Sequence, residues 1–310
     1  MKKIAFVFPG QGSQYVGMGK EVSENFAATK GIFEEADRVL GRSISEICFN
    51  GPMELLKDTR NAQPGILTVS IALLQILKAE GIKPDFTAGH SLGEYSALVA
   101  AGALEFKDGV KLVQERAGLM AGADPEQKGT MAAVLGLDRE ALSQCLADAL
   151  GAGLVEAANF NCPGQIVISG TKTGINKAQE GVANKGGKFI PLQVSGPFHS
   201  SFMKPAADAF KSKLESVPWQ EPVIPVIANV SAKPYLREEI INNLYSQIYS
   251  SVLWEDTLNY LHQQGVAVFV EIGPGKVLSG LINKTVKGVT ILNCEDLASI
   301  KKALEILKEV

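Results

Sequence analysis

Asp85-Phe86-Thr87-Ala88-Gly89-His90-Ser91-Leu92-Gly93 reads as a short strand, a turn over 89–91, and the start of an alanine-rich helix running to about Ala101. Residues 89–93 fit the Gly-x-Ser-x-Gly elbow, in which a strained strand-to-helix turn exposes a serine hydroxyl and small flanking residues relieve crowding. A serine there lies at the positive end of a helix dipole, where a developing oxyanion is stabilised. The plainer reading is a turn that merely tolerates serine. The strand before it and the helix after it favour the elbow.

Working outward, Ile4 to Phe8 is an apolar, partly β-branched run closed by Pro9-Gly10-Gln11-Gly12, a buried strand ending in a turn. Helical spacing is expected over Lys20 to Leu40, Ile66 to Lys78 and Lys107 to Met120, with Gly41 and Gly81 as stops. Strands alternating with helices predict an α/β fold with a largely parallel sheet, of α/β-hydrolase type. Near 122–129 the rhythm changes to a polar loop. Beyond it come a strand (130–137), a helix (139–150), two strands (154–159 and 165–169), a helix (173–184) and a strand (188–194). That order is the ferredoxin-like split unit. Residues 127–195 are therefore expected to form a small inserted subdomain, with 1–126 and 196–310 making the large α/β catalytic domain. A helix is expected from His199 to about Val217, strands at Val223 to Ala228 and Val266 to Ile272, and a helix from Lys276 to Lys284 after the turn Gly273-Pro274-Gly275.

Composition excludes several classes. A hydrophobic fraction of 46% with 20% charged residues is that of a soluble globular protein, and a net charge of −3 argues against a general nucleic-acid or membrane surface. The run Ile4 to Phe8 imitates the start of a secretory signal, but Pro9 breaks it short of the roughly 7–15 residues required. No stretch reads as the roughly 18 consecutive apolar residues of a membrane span, so a cytoplasmic location is expected. Cys48, Cys145, Cys162 and Cys294 show no paired spacing, and the three histidines form no His-x-x-x-His pair. Neither a disulfide framework nor a metal catalyst is expected.

Near neutral pH a serine nucleophile needs a base, and His199 is the best candidate. It sits in the loop Ser195-Gly196-Pro197-Phe198-His199-Ser200. His90 should leave the turn in a different direction from Ser91 and act as a wall or support residue, while His262 belongs to a surface helix. Asp108, Asp124, Asp138 and Asp148 lie between Ser91 and His199, yet each belongs to a helix start, a polar loop or the small subdomain. A Ser-His dyad oriented by a neutral group is expected, which weakens a generic esterase reading. Arg116 lies on a helix with Leu112, Val113, Leu119 and Met120. A lone helical Arg is more often solvated, but one facing a pocket suits bidentate binding of a carboxylate.

Five segments together resemble the malonyl-CoA:acyl carrier protein transacylases of bacterial type II fatty acid synthesis over nearly the whole chain. They are Phe8-Pro9-Gly10-Gln11-Gly12-Ser13-Gln14, Gly89-His90-Ser91-Leu92-Gly93-Glu94, Gln114-Glu115-Arg116, Gly196-Pro197-Phe198-His199-Ser200 and Glu271-Ile272-Gly273-Pro274-Gly275-Lys276. The resemblance implies that Ser91 is acylated with His199 as base, and that backbone N–H groups of Gln11 and Leu92 hold the oxyanion. It implies that Arg116 binds the free carboxylate of malonate and that the main-chain carbonyl of Gln247 orients His199. Asn159 and Asn161 match a segment lining the thioester channel, and the Phe198 ring leaves little space for a 2-methyl branch. Many relatives carry Asn-Pro after the glutamine; Ser250-Ser251 here implies a looser loop. Malonyl-CoA and acyl carrier protein are the partners implied, with neither nucleic acid nor membrane, no cofactor beyond the CoA thioester as substrate, and a monomeric chain. Other acyltransferases of the superfamily, a lipase-like hydrolase and a malonyl-CoA binding module are the competing readings.

Overall fold

The computed structural model describes residues 2–309. Among the described residues nine strands are formed: β1 (Lys3–Phe8), β2 (Phe86–Gly89), β3 (Gly129–Leu135), β4 (Val155–Cys162), β5 (Gln165–Thr171), β6 (Lys188–Leu192), β7 (Val226–Ile227), β8 (Val266–Ile272) and β9 (Thr290–Cys294). They make two sheets. One is wholly parallel in the order β7-β2-β1-β8-β9, and the other is antiparallel in the order β4-β5-β3-β6.

Both faces of the parallel sheet are covered, as its near-continuous apolar strands require. Alternate residues of β1 go to opposite sides: Phe6 and Phe8 join the core containing the Thr59–Ala79 helix, while Ala5 and Val7 join the core containing Trp254, Leu258 and Leu281. Thr59–Ala79 is long and apolar enough to cross a membrane by length and mean hydropathy, although Arg60, Asn61, Gln63, Gln75 and Lys78 keep it from being an unbroken apolar run. Since 83% of its most apolar window is buried in the protein, it is the central core helix. The antiparallel sheet packs one face, with Ala132, Val134, Ile166 and Ile168, on the Arg139–Ala149 and Lys172–Asn184 helices. Its other face presents Met131, Ala133 and Val167 toward the parallel-sheet unit. The four cysteines are free and buried.

Several expected elements change. The single helix over 20–40 is two, Lys20–Asn25 and Ala27–Leu40, because Phe26 is extended at φ −131°, ψ 119°. The strand at 223–228 shrinks to Val226–Ile227, since Pro225 lacks an N–H and Val223 is 80% exposed. The helix expected from His199 begins at Lys204, after a turn of 3₁₀-helix at Ser201–Met203. Short helices at Ile44–Asn50, Met53–Lys57 and Ile240–Gln247 were not read from the sequence, nor were β9 and the Leu297–Leu307 helix after it.

At the end of β8, buried Glu271 turns back to cap the Val277–Thr285 helix. Its carboxylate accepts from the N–H groups of Leu278 (2.9 Å) and Ser279 (2.7 Å) and from the Ser279 hydroxyl (2.7 Å). These amides are helix-terminal donors that would otherwise be orphaned. Glu271→Ala is expected to lower unfolding free energy by about 1–3 kcal/mol, the usual cost of stranding buried donors, as measured by urea denaturation.

Candidate active site

Close backbone approach dictates the small residues of the 89–93 turn. A Cβ on Gly89 would lie 1.9 Å from the Gly93 carbonyl, and one on Gly93 would lie 2.0 Å from Phe8 O. The chain thus turns hard against the end of β1, and Ser91 takes φ 51°. A left-handed backbone is costly for a non-glycine residue and persists where surrounding contacts enforce it. Here Asn229 supplies them: its Oδ1 accepts from Ser91 N–H (2.7 Å) and its Nδ2 donates to Gly89 O (2.6 Å). Among the described residues four non-glycine positions have φ above zero, and Ser91 and His199 (φ 58°) are two of them.

His199 Nε2 lies 2.7 Å from Ser91 Oγ, and Nδ1 lies 2.7 Å from the main-chain oxygen of Gln247. A carbonyl can only accept, so Nδ1 carries the proton and Nε2 presents a lone pair to the hydroxyl. None of the four intervening aspartates serves the histidine. Asp124 caps the N–H groups of Lys128 and Gly129, Asp138 caps the 139–149 helix, Asp148 bonds Gln144, and Asp108 stays in the first turn of its helix. Burial, followed by the neighbouring Arg116 charge, pushes the His199 pKa down to about 3, so the imidazole is neutral at physiological pH.

Arg116 is 1% exposed, which settles the choice between a solvated and a pocket arginine. Nη1 donates to Gln63 Oε1 (2.6 Å), while Nη2 donates to Gln247 Oε1 (2.8 Å) and to Ser91 Oγ (3.1 Å). Its face lies 5.4 Å from the Tyr95 ring centroid. The same cleft, about 270 Å³, is bounded by Gln11, Leu92, His90, Asn159, Asn161, Phe198 and Val277, with Met131 and Val167 from the antiparallel sheet. His90 accordingly is a wall residue, its Nε2 2.8 Å from Asn161 Oδ1 and its ring edge-on to Trp254. Neither the Gln11 nor the Leu92 N–H has a protein acceptor among the described residues. His262 is exposed near the end of the Trp254–Gln263 helix. The 250–252 loop is anchored rather than loose: Ser251 Oγ donates to Ala157 O (2.6 Å), and Val252 exchanges backbone hydrogen bonds with Ala158 and Phe160 of β4.

Sequence reasoning missed Gln63, Asn229 and Tyr235, and passed over the role of Glu94. Glu94 is the one charged residue in a wholly buried helix, Gly93–Ala100, and that contrast with its mostly apolar neighbours was the available signal. Its carboxyl is raised to about 7, foremost by burial. Gln63 and Asn229 gave no local cue, because their partners lie far along the chain.

Chemically, the cleft joins a hydroxyl with an acceptor nitrogen, two free N–H groups and a buried cation. It can activate a serine and hold an anionic group beside it.

Residues 5–305 match the family model described as an acyl transferase domain. The chain is 51% identical over 312 residues, covering 100% of this chain and 98% of the relative, to the malonyl CoA-acyl carrier protein transacylase of Bacillus subtilis (strain 168). It is 44% identical over 304 residues, 97% of this chain and 98% of the relative, to the enzyme of the same name from Staphylococcus aureus (strain MW2). The crystal structure of the malonyl CoA-acyl carrier protein transacylase from Clostridium perfringens superposes with a TM-score of 0.96 at 44% identity, covering 99% and 98% of the two chains. A malonyl-transacylase solved in complex with its type II PKS acyl-carrier protein superposes with a TM-score of 0.95 at 39% identity, over 98% and 99% of the chains. The chain therefore belongs to the acyl transferase domain family and, within it, to the malonyl CoA-acyl carrier protein transacylases.

Proposed function

We propose that this protein moves a malonyl group from coenzyme A to the pantetheine thiol of acyl carrier protein, through a malonyl ester on Ser91, for fatty acid synthesis. The observation that carries this is the contact of one oxygen, Ser91 Oγ, with both the base nitrogen of His199 and the guanidinium of Arg116. A buried cation beside the nucleophile fits an acyl group that carries its own carboxylate.

In the first half-reaction His199 Nε2 takes the hydroxyl proton as Oγ attacks the thioester carbon. Charge gathering on the carbonyl oxygen meets the N–H groups of Gln11 and Leu92. The C–S bond then breaks, and the departing CoA sulfur takes the proton from Nε2. In the second half-reaction the carrier thiol gives its proton to Nε2 and attacks the ester, and Ser91 recovers its proton. Esterified Oγ is a poor acceptor, so the Nη2–H it held becomes available, with the second Nη1–H, to the malonyl carboxylate. An uncharged acyl group would leave Arg116 without that partner. Phe198 sets the width beside the α-carbon, and Asn159 and Asn161 line the way in for the pantetheine arm.

The strand order supports reading 127–195 as a ferredoxin-like insert in an α/β-hydrolase-like domain made of 1–126 and 196–310. The cleft lies at their seam. We place the protein in the cytoplasm as a monomer, bound to neither nucleic acid nor membrane and needing no cofactor beyond its CoA substrate. A malonyl-CoA binding module would not need a reactive dyad.

Ser91→Ala is expected to abolish transfer of label from malonyl-CoA to protein; persistent labelling would remove the nucleophile assignment. Arg116→Ala should lower malonyl transfer about 100-fold or more while acetyl transfer is kept or gained. Equal losses on both donors would refute the carboxylate role. Because His199 stays neutral down to about pH 3, its imidazole should show no titration near the ordinary value of about 6.5 when followed by NMR. Removing the Arg116 charge eliminates one cause of the depression, so the His199 pKa should rise in Arg116→Ala, as followed by NMR titration of the imidazoles.

A further inference from the structure

Glu94 lies one helical turn beyond Ser91, 1% exposed, and every protein group that bonds its carboxylate is a donor. Oε1 accepts from the Tyr235 hydroxyl and from Asn229 N–H (3.0 Å), and Oε2 accepts from Gln247 Nε2. Two of the three residues it grips build the site. Asn229 holds the strained turn through Ser91 N–H and Gly89 O. Gln247 donates to Ser91 O (2.9 Å), accepts from Arg116 Nη2 and, through its main chain, fixes the proton of His199. We propose that Glu94 is a positioning residue for acyl transfer, whose acceptor-only carboxylate sets the orientation of the Gln247 amide and through it the Arg116 guanidinium. This deepens, and rests on, the acyl-transfer reading above.

The logic is directional. With an amide at position 94, an –NH2 group would face either the Gln247 –NH2 or the Asn229 N–H, donor against donor. If the Gln247 amide turned to relieve this, its –NH2 would face Arg116 Nη2 and its oxygen would face Ser91 O. No arrangement of two amides satisfies all the partners that one carboxylate and one amide satisfy now.

The test compares Glu94→Gln and Glu94→Asp with wild type in malonyl transfer and in 15N-histidine NMR, where three imidazoles report. Glu94→Gln is expected to fold, to lose about 10- to 100-fold in kcat, as for loss of a hydrogen bond to a charged group, and to change the His199 nitrogen shifts as the Arg116 guanidinium moves off Ser91 Oγ, with the Nδ1–H tautomer kept. Glu94→Asp keeps the charge and should recover most of that loss. Wild-type rates and unchanged His199 resonances in Glu94→Gln would overturn the role, as would Glu94→Asp being equally impaired with equal folded fraction. If Glu94→Gln does not fold, Tyr235→Phe removes one donor from the same carboxylate and should move rate and resonances in the same direction by less; no change in either overturns the proposal. Intact mass of the wild type after malonyl-CoA separates the two readings. An unlabelled wild type removes the acyl-transfer reading itself, whereas a labelled wild type beside an unaffected Glu94→Gln removes only the part played by Glu94.

Discussion

A backbone carbonyl accepts hydrogen bonds and never donates them, so the Gln247 carbonyl leaves His199 no choice about where its proton sits. With Nδ1 protonated, Nε2 must face Ser91 as a base, and the chemistry follows from that one constraint. A carboxylate in the same place would also have fixed the tautomer. It would have raised the histidine pKa as well, whereas a neutral partner leaves burial and Arg116 free to hold it down. The dyad thus trades stabilisation of the imidazolium for a base that is always unprotonated at working pH.

Arg116 explains why so many polar groups converge behind Ser91. A buried guanidinium needs acceptors, and Gln63, Gln247 and Ser91 supply them without an opposing carboxylate in direct contact. Glu94 is near enough to be felt electrostatically but is occupied by Tyr235, Asn229 and Gln247. The cation is therefore solvated by the protein while keeping donors for an incoming anion, which is a better arrangement for selectivity than a closed ion pair. The apolar side of the cleft comes from the other sheet, where Met131 and Val167 alternate with residues that belong to that sheet's own core.

Legibility followed the range of the forces involved. Strands β1, β2 and β8 and the elbow were readable because apolar runs ending in Gly and Pro are local signals, and the β-α-β-β-α-β order over 127–195 emerged with ends off by a few residues. The break at Phe26, the short helices after Gly41 and the loss of the strand around Val223 depend on what packs against each segment, which local spacing does not carry. Ser91 was legible from its own turn. His199 followed from the short supply of bases and Arg116 from its apolar helix, whereas the parts given to Gln247 and Gln11 came only with the family resemblance, since no local rule joins residues so far apart along the chain.

Taken alone, the sequence determined the α/β class, the sharp turn at Ser91 and the short supply of alternative bases, because these rest on neighbouring residues and on composition. Only the tertiary structure decided that Arg116 is buried beside Ser91, that His199 is held by a carbonyl, and that Glu94, Asn229, Tyr235 and Gln63 stand behind them. Each rests on hydrogen bonds no longer than 3.1 Å between segments brought together by folding, such as Gln63 with Arg116 or Asn229 with Ser91. Such bonds are set by distance in space, which separation along the chain does not encode.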